Sequence, residues 1–193
     1  MNYVSREVPL EEIFSSECGN LYKHWNDLRG ERFAPSWQDF DLPSLSREIS
    51  ANLRVVDVLD DGADFFYRYW GTGMVSMCKS EKSGKRLSET PGPRTAELFA
   101  EYRTVFNSRE PLAIIHDARW ADKHIDLIAP AIRLPLSSDG QTVDKILTFT
   151  DPQGHEEKWG AMLEAPLVSL ACFEASGSTV KRQFHTLVRG DEA

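Results

Sequence analysis

Two adjacent strand-like segments joined by a turn signal constrain the fold of this chain more than any other feature. Residues 53–60 (LRVVDVLD) are rich in β-branched side chains and run into Asp60-Asp61-Gly62. An Asp-Gly pair between two such segments is typical of a β-hairpin turn. Residues 64–70 (DFFYRYW) follow and are rich in aromatic side chains, which favour strands. The two segments therefore predict an antiparallel hairpin.

The remaining pattern predicts an α+β protein whose hairpin belongs to a five-stranded antiparallel sheet. Residues 93–107 predict a long helix, because the apolar side chains recur at helical spacing: Leu98, Phe99, Tyr102, Val105 and Phe106. Three more strands are predicted over residues 112–120, 125–136 and 142–150. Strands joined by hairpins, with the helices gathered between them, predict helices on one face of the sheet.

The two ends of the chain are predicted as extensions of this core. Residues 11–28 predict an N-terminal helix, since their apolar side chains would lie on one face. Near the other end, Trp159, Leu163, Leu167 and Leu170 fit a helical stripe that Pro166 interrupts. We therefore divide the chain into an N-terminal helical extension (1–50), a core (51–152) and a C-terminal extension (153–193).

Charge and cysteine content narrow the partners and the compartment. The chain has 22 Lys and Arg and 30 Asp and Glu, so its net charge is −8. An acidic surface repels phosphate groups, and we expect no nucleic-acid partner and no membrane partner. The three cysteines, Cys18, Cys78 and Cys172, show no metal or redox spacing, and no signal peptide is evident. These features predict a cytoplasmic protein.

Several short segments carry a resemblance to a known family. They are Leu21-Tyr22 with Trp25, Leu28-Arg29-Gly30, Arg32 with Pro35-Ser36, residues 64–72 (DFFYRYWGT), Ser83-Gly84-Lys85 with Leu87, residues 134–137 (LPLS) and residues 143–147 (VDKIL). Together they are similar to a PAS-domain family of small single-domain bacterial proteins, largely of unassigned function. The order of two strands, a helical insert and three strands is also that of a PAS domain. The resemblance implies a PAS fold and a role in sensing, small-molecule binding or protein contact.

A PAS fold would place a ligand pocket between the sheet and the helices. The side chains expected to form its walls are Tyr67, Tyr69, Met74, Met77, Phe106, His116 and Trp120. Such a mostly apolar set with a few polar groups is typical of small-molecule sites. The alternative is a filled core with no pocket.

The sequence predicts neither a cofactor nor catalysis. Residues 93–107 contain no histidine that could ligate a haem, and the Asn-Cys-Arg motif of PAS-class flavin photosensors is missing. No nucleophile motif is present. His116, Asp117, Asp122, His124 and Asp126 could form a metal site, but their spacing matches no known ligand motif. We expect a polar hairpin tip there, so that a metal-dependent enzyme is only a distant alternative.

These observations predict a sensory or binding module that binds a small ligand or a protein partner in signalling. The alternative is a ligand-free dimerisation or adaptor protein. Because the N-terminal helix carries much apolar surface, we expect a homodimer; its residues are Ile13, Phe14, Leu21, Tyr22 and Trp25. The basic residues Lys79, Lys82, Lys85, Arg86 and Arg94 are expected to form a solvated loop.

Overall fold

A computed structural model describes residues 2–92, 94–120, 125–155, 157–160 and 169–174. Within these residues the chain forms one sheet of seven strands, in the spatial order β3-β2-β6-β5-β4-β1-β7. The strands are β1 (Asn2–Val8), β2 (Leu53–Leu59), β3 (Asp64–Trp70), β4 (Leu112–Trp120), β5 (Ile125–Leu136), β6 (Lys145–Thr150) and β7 (Ser169–Glu174). All neighbouring strands are antiparallel except β1 and β7, which are parallel.

Residues 157–160 are helical, and four further α-helices have both of their ends within the described residues. They are α1 (Glu17–Arg29), α2 (Arg47–Asn52), α3 (Thr72–Cys78) and α4 (Thr95–Ser108). Serine side chains cap the first two: Ser16 accepts a hydrogen bond from the Cys18 N–H, and Ser46 accepts one from the Ile49 N–H. Such caps satisfy backbone donors that have no partner within the helix.

The predicted α+β class and PAS-like fold are confirmed. Strands β2 and β3 form the predicted hairpin, α3 and α4 follow, and β4, β5 and β6 complete the order β3-β2-β6-β5-β4. The predicted bounds of β4 and β5 agree with the structure, whereas β6 begins at Lys145 rather than at residue 142.

The structure differs from the predicted architecture in two details. The sheet has seven strands rather than five, because both terminal segments add a strand beyond β4. Helices also cover both faces rather than one. On β4, Leu112 and Ile114 belong to the apolar cluster beneath α3 and α4, whereas Ala113 and Ile115 belong to the cluster beneath α1. A strand that is apolar on both faces must be covered on both.

The N-terminal segment begins as a strand and not as a helix. Residues 10–13 form a 3-10 turn after β1, and α1 begins only at Glu17. Ile13, Leu21 and Trp25 are buried against the sheet, and the Trp25 indole donates a hydrogen bond to the Pro135 carbonyl oxygen at 2.8 Å. Most of the apolar surface expected to drive dimerisation is therefore covered by the chain's own sheet.

The C-terminal segment also adds to the sheet. Leu170 lies in β7 and so does not continue the predicted helical stripe, while Leu163 and Leu167 lie outside the described residues.

Gly71 and Gly73 allow close packing between α2 and the start of α3. A Cβ atom on Gly71 would lie 2.6 Å from the carbonyl carbon of Ala51, and one on Gly73 would lie 2.5 Å from Oδ1 of Asn52. Because Gly71 has an ordinary extended backbone, this glycine is required by the close approach of α2 rather than by a tight turn.

Candidate functional site

A cavity of about 200 Å³ lies between the sheet and the helices α3 and α4. Helical spacing brings Met74, Met77 and Cys78 of α3 to its wall, since residues three and four apart share a helix face. Leu98 and Tyr102 of α4 line it for the same reason. The cavity therefore lies at the position where the sequence predicted a pocket.

The predicted wall residues divide into three groups. Tyr67, Met74, Met77 and His116 line the cavity. Tyr69 and Phe106 do not. The side chain of Trp120 lies outside the described residues, although its backbone ends β4. Ligand binding by these residues stays a prediction.

Tyr69 faces away from the cavity because β3 contains a β-bulge. Val55 pairs with Tyr69 and Val56 pairs with Tyr67, so Arg68 has no partner of its own on β2. One extra residue reverses the alternation of side chains that follow it. Tyr69 thus packs in the cluster beneath α1, and its hydroxyl donates to the Ser50 carbonyl oxygen at 3.0 Å.

Phe106 lies at the outer end of α4, against the turn between β2 and β3. A Cβ atom on Gly62 would lie 2.9 Å from the Phe106 ring, and Nε of Arg103 donates to the Gly62 carbonyl oxygen at 3.0 Å. The last turns of α4 therefore fix the hairpin, while its first turns line the cavity.

A buried charge network joins α4 to the sheet beside the cavity. Glu101 of α4 is fully buried and forms an ion pair with Arg133 of β5, which is also buried. The same carboxylate accepts from Arg94 at 3.4 Å and from the Ser5 hydroxyl at 3.1 Å. Burial alone would raise the pKa of Glu101, but the two guanidinium groups outweigh it and hold the pKa below its usual range.

Arg133 also contacts the aromatic and polar groups around it. It donates to the Thr148 hydroxyl at 3.1 Å, and its guanidinium lies 4.8 Å from the centre of the Tyr102 ring. The ion pair and these contacts offset part of the cost of burying the Arg133 charge in an apolar layer. The network therefore holds Tyr102, a wall residue, against the sheet.

His116 connects this network to the cavity wall. Its Nδ1 atom lies 3.3 Å from the Ser5 hydroxyl oxygen on the neighbouring strand β1. Burial, together with the positive charges of Arg94, Arg133 and Arg54, lowers the pKa of His116 well below its ordinary value. The imidazole is therefore neutral at pH 7.

Three cationic side chains line the cavity, and sequence reasoning placed none of them there. Arg54 of β2 donates to the Thr150 hydroxyl and lies over the Trp70 ring. Lys82 and Arg94 come from the segment expected to be a solvated loop, whose other basic residues are exposed. The signal for Arg54 was its position between Leu53 and Val55 in an apolar strand, where a lone charge needs a special environment.

Cys78 is the one cysteine among the wall residues in the described part of the chain. Burial raises the pKa of its thiol, so that the thiolate form is disfavoured. A reactive cysteine requires the opposite shift. Cys78 therefore acts in this wall as a small apolar side chain.

The residues weighed as a possible metal site lie partly outside the described residues, and two of the described ones, His116 and Asp117, are on opposite sides of β4. His116 faces the cavity, whereas Asp117 follows it on β4 and faces the opposite side, where it pairs with Arg119 at 3.0 Å. Asp122 and His124 lie outside the described residues. Among the residues that the structure describes, no three His, Cys, Asp or Glu side chains are grouped to hold a metal ion.

Comparison with known proteins gives structural likeness only. No family model and no curated protein matches the sequence. The light-state LOV domain of the blue-light photoreceptor aureochrome1 is 12% identical, with a TM-score of 0.38, over 59% of this chain and 88% of that one. A fungal LOV-domain photoreceptor is 14% identical, with a TM-score of 0.39, over 73% of this chain and 96% of that one.

An RNA-binding light-oxygen-voltage receptor is 12% identical, with a TM-score of 0.38, over 81% of this chain and 36% of that one. At these TM-scores the PAS-like assignment depends on the strand order and on the two helices between β3 and β4. Across the described ranges, no helix is both long enough and apolar enough to cross a bilayer. The chain has an α+β fold with the strand order β3-β2-β6-β5-β4 and a cavity between the sheet and the helices α3 and α4.

Proposed function

We propose that this protein is a PAS-fold sensory module that binds a small ligand in its central cavity and passes the signal to a protein partner. The observation that carries the proposal is the cavity itself, which remains open within an otherwise packed core. Its wall combines aromatic and methionine side chains with a few polar groups, as small-molecule sites do. A filled core would have favoured an adaptor.

The buried network supports a route by which occupancy could reach the surface. Arg94 and His116 line the cavity; Arg94 donates to Glu101, which also accepts from Ser5 of β1, and His116 lies 3.3 Å from the Ser5 hydroxyl itself. A ligand that displaces either side chain changes the surroundings of Ser5. Strand β1 lies near the edge of the sheet, where a partner or a second copy of the chain could detect the change.

Native mass spectrometry of the purified protein tests ligand binding. We expect a retained small molecule in the wild type, and its loss in Leu98→Trp, which places a large side chain into the cavity. Ala96→Trp is the matched control, because Ala96 lies on the exposed side of the same helix. An empty wild-type protein that purifies with a stable partner would instead support the adaptor.

We propose a homodimer as the state in which the module acts. Phe14 is 47% exposed and Ile128 is 54% exposed, so apolar surface remains after α1 is packed. Val4 and Ile128 flank Asp117 across three adjacent strands on one face of the sheet. Sedimentation at tens of micromolar would show dimers that Phe14→Glu or Ile128→Glu weakens; a monomer throughout would contradict the proposal.

The proposal also includes a cytoplasmic, non-enzymatic role without nucleic-acid or membrane partners. The acidic net charge of −8 opposes phosphate binding on the surface, and the raised thiol pKa of Cys78 opposes nucleophilic catalysis. Stoichiometric zinc or iron that is lost in His116→Ala would contradict the non-enzymatic role.

A further inference from the structure

The cavity wall has a charge opposite to that of the protein as a whole. The chain carries a net charge of −8, yet the described wall residues include Arg54, Lys82 and Arg94 and no Asp or Glu. An acidic protein that concentrates cations around an internal space provides a local environment for a negative group. Whether the protein itself neutralises these three cations depends on the carboxylates that contact each one.

Arg94 already has a carboxylate partner. It pairs with Glu101 at 3.4 Å, and Glu101 also pairs with Arg133. Glu97, one turn earlier on α4, is the other carboxyl group close by; burial raises its pKa, which favours its uncharged form. Neither glutamate lines the cavity. The carboxylates of α4 therefore neutralise the network behind the wall rather than the space itself.

Arg54 and Lys82 contact no carboxylate within the described part of the chain. Arg54 donates to the Thr150 hydroxyl, its Nε has no acceptor there, and its guanidinium lies 6.0 Å from the Trp70 ring centre. Lys82 Nζ lies 5.2 Å from the same ring and 5.9 Å from the Tyr67 ring. Contact with aromatic faces offsets only part of the cost of removing a cation from water.

Both cations are affected by this desolvation. Burial lowers the pKa of Arg54, and it lowers the pKa of Lys82, to which the charge of Arg54 also contributes. Both side chains line the cavity, and their charged groups lie 6.0 and 5.2 Å from the centre of the same Trp70 ring. Guanidinium and ammonium groups bind carboxylates strongly when water is excluded.

The aromatic walls and the size of the cavity define the rest of the ligand. Tyr67, Trp70, Tyr102 and Trp159 supply flat apolar surfaces, and the Tyr67 and Trp70 rings stand nearly perpendicular at 81°. A volume of about 200 Å³ is below the roughly 300–1,000 Å³ of sites for drug-sized molecules. The space suits one ring with a short polar group.

We infer that the ligand of this cavity is a small aromatic carboxylate, whose charge lies between Arg54 and Lys82 and whose ring packs on Tyr67 and Trp70. This inference depends on the proposed function, because it assigns a ligand class to the same cavity. An uncharged ligand of equal shape would leave both cations without a counterion, and a free inorganic anion would leave the aromatic surface unused.

Calorimetric titration with benzoate and phenylacetate, each compared with its uncharged amide, tests the inference. We expect each carboxylate to bind roughly tenfold to a hundredfold more tightly than its amide, as a charge-assisted hydrogen bond implies. Inorganic phosphate should bind more weakly than either carboxylate.

Arg54→Met and Lys82→Met should each reduce carboxylate affinity at least about tenfold and leave amide affinity nearly unchanged. Lys85→Met is the matched control, since Lys85 is exposed and does not line the cavity. Two cation variants are used because Arg54 supports the sheet and its loss could impair folding, which a thermal melt reveals.

The outcomes separate the ligand class from the proposed function. The inference would be overturned by equal affinity for amides and carboxylates, or by a carboxylate affinity that neither cation variant reduces. Either result would still support the cavity as a ligand site. Absence of binding by all these probes would also overturn the inference; the proposed function would then depend on whether native mass spectrometry finds a different retained molecule.

Discussion

Replacement of Glu101 by glutamine should destabilise the protein strongly while changing its shape very little. The glutamine keeps one oxygen acceptor but presents an NH₂ group where the second carboxylate oxygen was. Arg133, Arg94 and Ser5 all donate to that carboxylate, and Arg133 is only 1% exposed. Arg133 would be left as a buried charge without its counterion.

The expected loss is about 3–5 kcal/mol in the free energy of unfolding, which is the usual effect of removing one partner of a buried ion pair. For a chain of this length, each kcal/mol corresponds to roughly 2–4 °C in Tm. A differential scanning experiment at pH 7 should therefore show a decrease of roughly 6–20 °C.

Glu97→Gln is the matched control on the same helix. Glu97 is also buried, but burial raises its pKa and the described residues include no ion pair to it within bonding distance. Its replacement should cost less than about 1 kcal/mol, because little charge interaction is lost. Equal effects of the two substitutions would refute the reasoning, since burial alone and not the ion pair would then determine the cost.

The pH dependence gives a second measurement of the same effect. The pKa of Glu101 is lower in the folded protein than the ordinary 4.5, so the unfolded chain takes up its proton first as the pH falls. The contribution of this carboxylate to the free energy of unfolding is therefore fully present above pH 4.5 and is lost as the pH falls below 4.5. The difference in Tm between wild type and Glu101→Gln should decrease as the pH falls below 4.5.

Three more predictions test other parts of the structure. The pKa of buried His116 is lowered, so below pH 6.5 the unfolded chain binds a proton that the folded chain does not. The free energy of unfolding should therefore fall below pH 6.5 by at most about 1.4 kcal/mol per pH unit. Urea titrations at several pH values should show that His116→Asn removes this pH dependence. Phe106→Ala should cost about 3 kcal/mol and Phe14→Ala less than about 1, since Phe14 is 47% exposed; equal costs in chemical denaturation would place Phe106 outside the core. Gly71→Ala should cost about 3 kcal/mol or more, because its Cβ would collide with the Ala51 backbone, and an unchanged melting temperature would contradict that close approach.

Local patterns in the sequence were sufficient to predict most of the central sheet. Strands β4 and β5 could be predicted to the residue because both are mostly apolar and the polar residues Asp122, Lys123 and His124 separate them in the sequence. The β2–β3 hairpin could be predicted because its turn is encoded by adjacent residues, of which Asp60, Asp61 and Gly62 all have positive φ. In these elements the partners lie close together in the sequence.

Features that depend on distant partners could not be predicted in this way. Strand β1 (NYVSREV) contains three consecutive polar residues, Ser5, Arg6 and Glu7, so no alternation predicts a strand there, and Ser5 is buried where β1 pairs with β4. No sequence pattern predicts the β-bulge at Arg68, so Tyr69 was assigned to the wrong face of the sheet. Arg133 did carry a signal, because a lone charge within an apolar strand predicts a buried partner, but Glu101 could not be chosen without the fold.

The pairing of β1 has a consequence for the order of events during synthesis. Ser5 and His116 are adjacent in the sheet but 111 residues apart in the chain. At the usual synthesis rate of about 5–20 residues per second, roughly 5–20 s pass between the synthesis of β1 and that of its antiparallel partner β4. Strand β7 can dock only later, since its parallel neighbour in the sheet is β1 itself. Strand β1 is therefore made well before the strand with which it pairs, and Ser5 can complete the buried network around Glu101 only after β4 and Arg133 of β5 have been made.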